Sequence, residues 1–307
     1  MTEPIVSSPF ERLKGTVGLW TFAHEFVEPQ ASGAFAKTIQ DLGYSALWFP
    51  ELVGREAFTS AALLLAGTSS LVVGTGIASI YGRDALATAA AGRTLAAMSS
   101  NRFIAGLGVS HRPTVEGSRG HTYDPPLAAM AKYLDARGAA KSFSVEANVK
   151  LPVVLAALGP KMLTLAREKT DGALPYLVTE SHTASARELL GPEAFLAVEQ
   201  AVVLSEDPEE ITRLSREHLE IYTGLENYRN SWRRLGFTDA DFVRGGSEQL
   251  QRALVTSGGI EEISAKVNAH FAAGADHVCL QVLGTGQAGF APMEQWEALS
   301  VLTKAKP

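Results

Sequence analysis

DLGYSALWFP, residues 41–50, decides how the rest of the chain is read. A helix-like stretch runs into Gly43, where glycine forms the left-handed C-cap without a Cβ clash. The chain then enters a short apolar and aromatic run closed by Pro50, the signature of a strand. AGADHVCLQ repeats the pattern around Gly274. Working outward, comparable runs are TVGLWTF (16–22), SALWFP (45–50), LVVGTGI (71–77), RFIAGLGV (102–109), PVVLAAL (152–158), GALPYLV (172–178), AVEQAVVLS (197–205) and DHVCLQVLG (276–284). Most are apolar throughout, as strands covered on both faces are.

Between these runs the sequence predicts helices at about 30–42, 57–68, 84–99, 126–140, 160–170 and 180–190. Alternating strands and helices imply βαβ units and a parallel sheet, and eight strands imply a closed (β/α)8 barrel. Strands seven and eight are separated by about 70 residues, more than one helix needs. A helical insertion is therefore expected there, built from 207–222, 227–237 and 259–274. No internal repeat or low-complexity linker divides the chain, so residues 1–307 read as one barrel domain.

Composition narrows the function. The chain has 307 residues, 46% of them hydrophobic, and a formal charge of −6 spread along its length. That argues against a nucleic-acid groove or an anionic membrane surface. The lone cysteine, Cys279, sits in an apolar run and reads as a packing residue; a chain without a possible internal disulfide suits the cytoplasm. The first residues lack the basic start and apolar middle of a secretion signal, and no apolar stretch approaches the roughly 20 residues of a membrane span. Seven scattered histidines and no HExxH or paired cysteines predict no dedicated metal site.

In a barrel, chemistry sits at the C-terminal ends of the strands, which selects four stretches. GTGI (74–77) puts two glycines at a strand end, a mark of a bulge or of close ligand approach. GLGVSH (106–111) leads to Val109, Ser110 and His111. AALGPKM (156–162) runs through Gly159 and Pro160 into a helix whose free N–H groups suit a phosphate, with Lys161 reading as a solvated lysine. Phe49-Pro50-Glu51 ends strand two. There a carboxylate partly desolvated by Trp20, Phe22 and Trp48 could serve as acid or base; the plainer reading is an exposed glutamate paired with Arg55.

With these motifs the sequence resembles the luciferase-like family, in particular its branch using the deazaflavin coenzyme F420, over nearly the whole chain. The resemblance implies a hydride-transferring oxidoreductase acting on a small organic substrate, with F420, or alternatively FMN, in the barrel mouth. It implies a non-prolyl cis peptide at Gly76–Ile77 backing the ring, and a cofactor-bonding hydroxyl at Ser79. It further implies ring and ribityl contacts around Val109 and Ser110, and tail contacts at Ala157, Leu158 and Gly159. Glu51 stands where many relatives have a histidine base, and His111 where some have a glutamate acid. These two are the candidate catalytic residues, and imidazole chemistry makes the second exchange tolerable. The family often has Arg followed two residues later by Pro after this strand; here the chain reads Arg83-Asp84-Ala85, so Arg83 reads as a surface charge. A homodimer is expected.

The rival readings are weaker. No GxGxxG opens a helix after a strand and no GxxxxGK(S/T) occurs, so a Rossmann dinucleotide site and a P-loop have no motif support. GVSHR (108–112) keeps the first glycine and the serine of a hydrolase elbow, but Arg112 replaces the second glycine and Pro113 disfavours the required helix. A serine hydrolase using Ser110 is the remote alternative, and a flavin-binding protein without turnover is a third class.

Overall fold

The computed structural model describes residues 8–146, 148–284 and 291–304. The reading of the first residues as free of a secretion signal rests largely on positions outside that set. Ten strands form: β1 (Thr16–Trp20), β2 (Ala46–Phe49), β3 (Val72–Thr75), β4 (Ala78–Ser79), β5 (Phe103–Gly108), β6 (Val153–Leu155), β7 (Gly172–Ala173), β8 (Phe195–Leu204), β9 (Val255–Gly258) and β10 (His277–Val282). β1, β2, β3, β5, β6, β7, β8 and β10 pair in that order, all parallel, and β10 closes the ring by pairing with both β8 and β1. This is the expected (β/α)8 barrel. β4 is a short addition beside β5, and β9 extends the end of β8.

Strict alternation builds the two cores. Ala46 and Trp48 face the barrel axis while Leu47 and Phe49 face the helices, and Cys279 points inward between outward Val278 and Leu280. Interior space is filled by complementary sizes: a Cβ added at Gly74 would lie 2.3 Å from the Trp48 ring, so glycine there makes room for the indole. Trp48 Nε1 donates to His277 Nε2 at 3.2 Å, deep in the barrel.

The predicted helices appear as α2 (Ser32–Asp41), α3 (Ala57–Ala66), α4 (Ala85–Met98), α5 (Pro126–Gly138), α6 (Pro160–Lys169) and α7 (Glu180–Leu190). Short α1 (Pro9–Leu13) precedes β1, and α12 (Met293–Leu299) follows β10. Gly43 and Gly274 take φ of 94° and 99°, as their capping role requires. The insertion contains α8 (Pro208–Leu219), α9 (Glu226–Arg234), α10 (Glu248–Leu254), β9 and α11 (Ile260–Ala272). Its own core gathers around the fully buried Trp232. The run 172–178 pairs only at Gly172 and Ala173. Pro175 has no N–H to donate, and Leu177 turns to a φ of 53°, so the chain leaves the barrel wall and carries Tyr176 over its mouth.

Candidate active site

The barrel mouth holds a cavity of about 170 Å³ at the C-terminal strand ends. Its floor comes from β1 and β3. Trp20 Nε1 donates to Gly76 O at 3.0 Å, and a Cβ at Gly76 would lie 2.5 Å from that nitrogen, so only glycine permits the indole to approach so closely. The Gly76–Ile77 peptide bond is cis. The ends of β2 and β3 are tied together, Gly76 N donating to Phe49 O at 2.7 Å and Glu51 N to Ile77 O at 3.0 Å.

Glu51 borders the cavity but is not free. Its Oε1 accepts from Arg83 Nη2, and its Oε2 accepts from the backbone N–H of Ser79 at 2.7 Å; Arg119 stands 3.8 Å away. Arg83 is thus a buried partner and not the surface charge its sequence context suggested. Its guanidinium also bonds Glu56 Oε1 and lies over the Phe58 ring at 4.8 Å. Arg55, the other partner considered for Glu51, instead donates to the carbonyls of His24 and Val27. Of the aromatic side chains expected around Glu51, Trp20 and Phe22 line the cavity, whereas Trp48 lies deeper.

His111 faces the same cavity from the end of β5, its ring centroid 5.9 Å from that of Tyr228. Burial holds its pKa below the ordinary histidine value of 6.5, so the neutral imidazole is favoured. Ser110, beside it, also lines the cavity and takes a φ of 55°, but no hydrogen bond among the described residues links its hydroxyl to an imidazole. The helix required by a hydrolase elbow does not follow at once; a π-helical turn spans Pro113–Ser118.

The other sequence candidates divide by position. Gly76 and Ile77 are in the cavity wall. Val109 is half-buried against the outer core, and Ala157 is wholly within that core. Ser79 is buried beside Glu51, its Oγ accepting from Tyr81 N–H at 3.2 Å, outside the cavity lining. Leu158 and Gly159 lead into α6, whose N-terminus has no side-chain cap. Arg234 of α9 donates to Leu158 O at 3.0 Å and so sets a guanidinium next to that helix end, while Lys161 is exposed. His182 Nε2 meets the same carbonyl at 3.0 Å.

Sequence reasoning did not single out the wall opposite the floor. Tyr176 comes from the segment after β7, Tyr222 from the turn after α8 and Tyr228 from α9. The available signal was the aromatic spacing in IYTGLENYRNSW (221–232). Tyr176 and Tyr222 hydroxyls lie 3.1 Å apart, and Tyr176 donates to Gln281 Oε1 at 2.7 Å. Below them Glu199 is fully buried; burial pushes its carboxyl up to about 8, although Leu177 N–H donates to it at 3.0 Å. A larger cavity of about 430 Å³ lies off the barrel axis between β8 and α12; of its acids, Glu210 accepts from Ser205 Oγ at 2.7 Å. Among the described residues, no cluster of three His, Cys, Asp or Glu could hold a metal ion, and no helix is long and apolar enough to cross a membrane.

A family model described as luciferase-like monooxygenase matches residues 16–277. A putative coenzyme F420-dependent oxidoreductase, Rv3520c of Mycobacterium tuberculosis, is 29% identical over 177 residues, 48% of this chain and 51% of that protein. The chain spans about half the length of the curated relatives it matches. In fold it is similar to an F420-dependent secondary alcohol dehydrogenase in complex with an F420-acetone adduct. The TM-score is 0.73 at 12% identity, covering 94% of this chain and 98% of the other. It is also similar to the oxygenating constituent of 3,6-diketocamphane monooxygenase of Pseudomonas putida in complex with FMN. There the TM-score is 0.66 at 13% identity, covering 94% and 97%.

Proposed function

The chain belongs to the luciferase-like monooxygenase family, and on that premise we propose that it is an oxidoreductase exchanging a hydride between a barrel-bound deazaflavin, coenzyme F420, and a small organic substrate. The observation that carries this reading is the conjunction of two sites joined by one loop. A cavity walled by Gly76–Ile77 and Ala156 suits one face of a planar ring. Beyond Ala156, the chain reaches the uncapped N-terminus of α6 beside Arg234, which suits an anionic tail through free N–H groups, the helix dipole and a guanidinium. A Cβ at Gly159 would meet nothing nearer than Arg234 Nη2 at 3.8 Å, so that corner has room for a ligand.

The bound cofactor supplies the hydride chemistry; the chain supplies position and the proton. His111 is the residue assigned to proton movement. Glu51 is occupied by Arg83 and the Ser79 N–H, whereas the His111 ring makes no hydrogen bond among the described residues and borders the cavity. In substrate oxidation, the neutral imidazole takes the hydroxyl proton as the hydride leaves the carbon; in reduction, its protonated form returns that proton. Glu51, held by its ion pair, keeps the β2 and β4 ends together at the cavity edge.

The resemblance in fold to an FMN-bound monooxygenase favours a second reading, an FMN enzyme using the same mouth. An equilibrium titration of the purified protein with each cofactor separates the two. The deazaflavin should bind more tightly. FMN preferred by tenfold, about 1.4 kcal/mol, would replace the first reading with the second. A small-molecule enzyme of the cytoplasm, acting as a homodimer, remains the setting this proposal assumes.

A further inference from the structure

Resting on the oxidoreductase reading above, we infer that the cavity takes an uncharged, largely apolar carbonyl compound or the matching alcohol, and that Tyr228 of the insertion is the donor that binds its oxygen. The charge inventory sets the substrate class. Among the described residues Glu51 is the only acidic side chain in the cavity lining, which includes no lysine or arginine, and Glu51 is already matched by Arg83. With the His111 ring in its favoured neutral form, an anionic substrate would be desolvated there without a counter-ion, and a cationic one would find the Glu51 carboxylate taken. Trp20, Phe22, Leu52 and Leu174 supply apolar wall instead.

Accounting for the hydroxyls identifies the donor. Tyr222 and Tyr176 are hydrogen-bonded to each other, and the Tyr176 O–H donates to Gln281 Oε1, so neither needs a ligand. Tyr228 is 7% exposed and lines the cavity, yet its hydroxyl bonds to none of the described residues. Its ring is held by Tyr222 at 5.0 Å and Trp232 at 5.7 Å between centroids, which fixes the position of the phenolic oxygen. The hydroxyl keeps some exposure and has no partner among the described residues, so a carbonyl oxygen in the cavity can accept from it. Burial also holds the Tyr228 pKa well above the ordinary phenol value, so the group remains a donor.

His111 lies across from Tyr228, so one substrate oxygen can face both. In reduction the hydride forms the new C–H bond as the carbonyl π bond breaks. The oxygen takes one proton from protonated His111, the cofactor is left oxidised by two electrons, and Tyr228 keeps its proton throughout. The arrangement accepts ketones, aldehydes and secondary alcohols and rejects phosphorylated or carboxylated compounds of the same size.

The test is an equilibrium titration of the 307-residue protein, read by intrinsic tryptophan fluorescence, to which Trp20 in the cavity wall contributes, and by calorimetry, with three probes. They are cyclohexanone, cyclohexanecarboxylate and methylenecyclohexane, the last a carbon isostere of the ketone without its oxygen. Cyclohexanone should bind at least about tenfold more tightly than the carboxylate. Tyr228→Phe should weaken cyclohexanone by about fivefold, the size of one neutral hydrogen bond, and leave methylenecyclohexane unchanged. A carboxylate that binds as well as the ketone overturns the substrate class. A Tyr228→Phe protein that binds cyclohexanone like the parent, or that loses both neutral probes together, overturns the assignment of Tyr228. Deazaflavin binding is measured in parallel. Cofactor binding without ketone preference sinks this inference alone, and no cofactor binding sinks the reading on which it rests.

Discussion

At the ends of β2 and β5, Glu51 and His111 face one cavity but differ in what already holds them. Glu51 has a guanidinium on one oxygen and a backbone N–H on the other, while His111 has a desolvated ring open to the cavity. His111→Asn should therefore lower single-turnover hydride transfer by about 10²-fold to 10⁴-fold with the cofactor still bound. Glu51→Gln should act mainly through the local ion pair and leave the chemical step much closer to the parent. Equal losses in both variants would void the assignment. Because burial lowers the His111 pKa, substrate oxidation, which needs the neutral ring, should be flat through neutral pH. It should fall only at a pH below 6.5, and the fall should vanish in His111→Asn. Glu199 is a different case. Its folded pKa of about 8 lies above the ordinary 4.5, so the native state binds a proton that the unfolded chain has released. Stability associated with it is complete below 4.5 and is lost as pH rises toward 8. Relative to Glu199→Gln, the parent should lose about 3 kcal/mol between pH 5 and pH 7, measured by denaturant unfolding at both pH values; a constant difference would show that Glu199 does not titrate this way.

Among elements, α6 joins fold to function. Its start is set by Gly159 and Pro160, the first with no side chain to cap the helix and the second with no N–H to lose. The same features that make a weak cap leave an anion-accepting end. Gly159 has a φ of −105°, which valine adopts readily, and open space around its Cβ position. Gly159→Val should keep the thermal midpoint within a few degrees yet weaken the cofactor by about tenfold or more, by occupying the space of its tail. Arg234→Gln should also weaken it and reduce the dependence of binding on salt, since a charge is lost. Unchanged affinity in both variants would place the tail elsewhere. The elements least legible from sequence were the short ones. Seven-residue α10 and four-residue β9 are too brief for a periodicity to emerge, and β9 exists because β8 overruns the barrel and offers a free edge.

Across the whole molecule, burial of histidines sets the acid limit of stability. Desolvation lowers His24, His218 and His270 to about 4 and His277 to about 3. A histidine with a depressed folded pKa costs nothing above 6.5, and its contribution is lost as pH falls from there toward 4, because only the unfolded chain takes the proton. Glu199 acts in the opposite sense between 4.5 and 8, but it is one proton against four. On these five groups stability should rise with pH to about 7, where the four histidines of the unfolded chain together hold about one proton and balance Glu199, and then decline gently; unfolding near pH 5.5 takes up about three protons net, four less one, and the lowered pKa values of His111 and His182 add to that uptake. Thermal midpoints measured from pH 4 to pH 9 check this, and a midpoint still climbing between pH 7 and pH 8 would contradict it.

The sequence alone determined the barrel and the loops that carry its mouth. A parallel barrel repeats one local event eight times, and each repeat is written locally: a helix stop such as Gly43, then an apolar run, then a polar exit. Gly76, Ile77, Ser110 and His111 could be placed at strand ends for that reason, and the length between β8 and β10 announced the insertion. What only the tertiary structure decided was which groups meet. Periodicity states which face of an element is apolar, not which element lies opposite. Arg83 reads as a surface charge until β2 and β4 converge and bury it against Glu51. Tyr228 is one aromatic residue of an insertion helix until closure of the ring sets it 5.9 Å from His111. Those contacts depend on long loops folding back across the barrel mouth. Their energy comes from burial shared by distant segments, which no local stretch of sequence records.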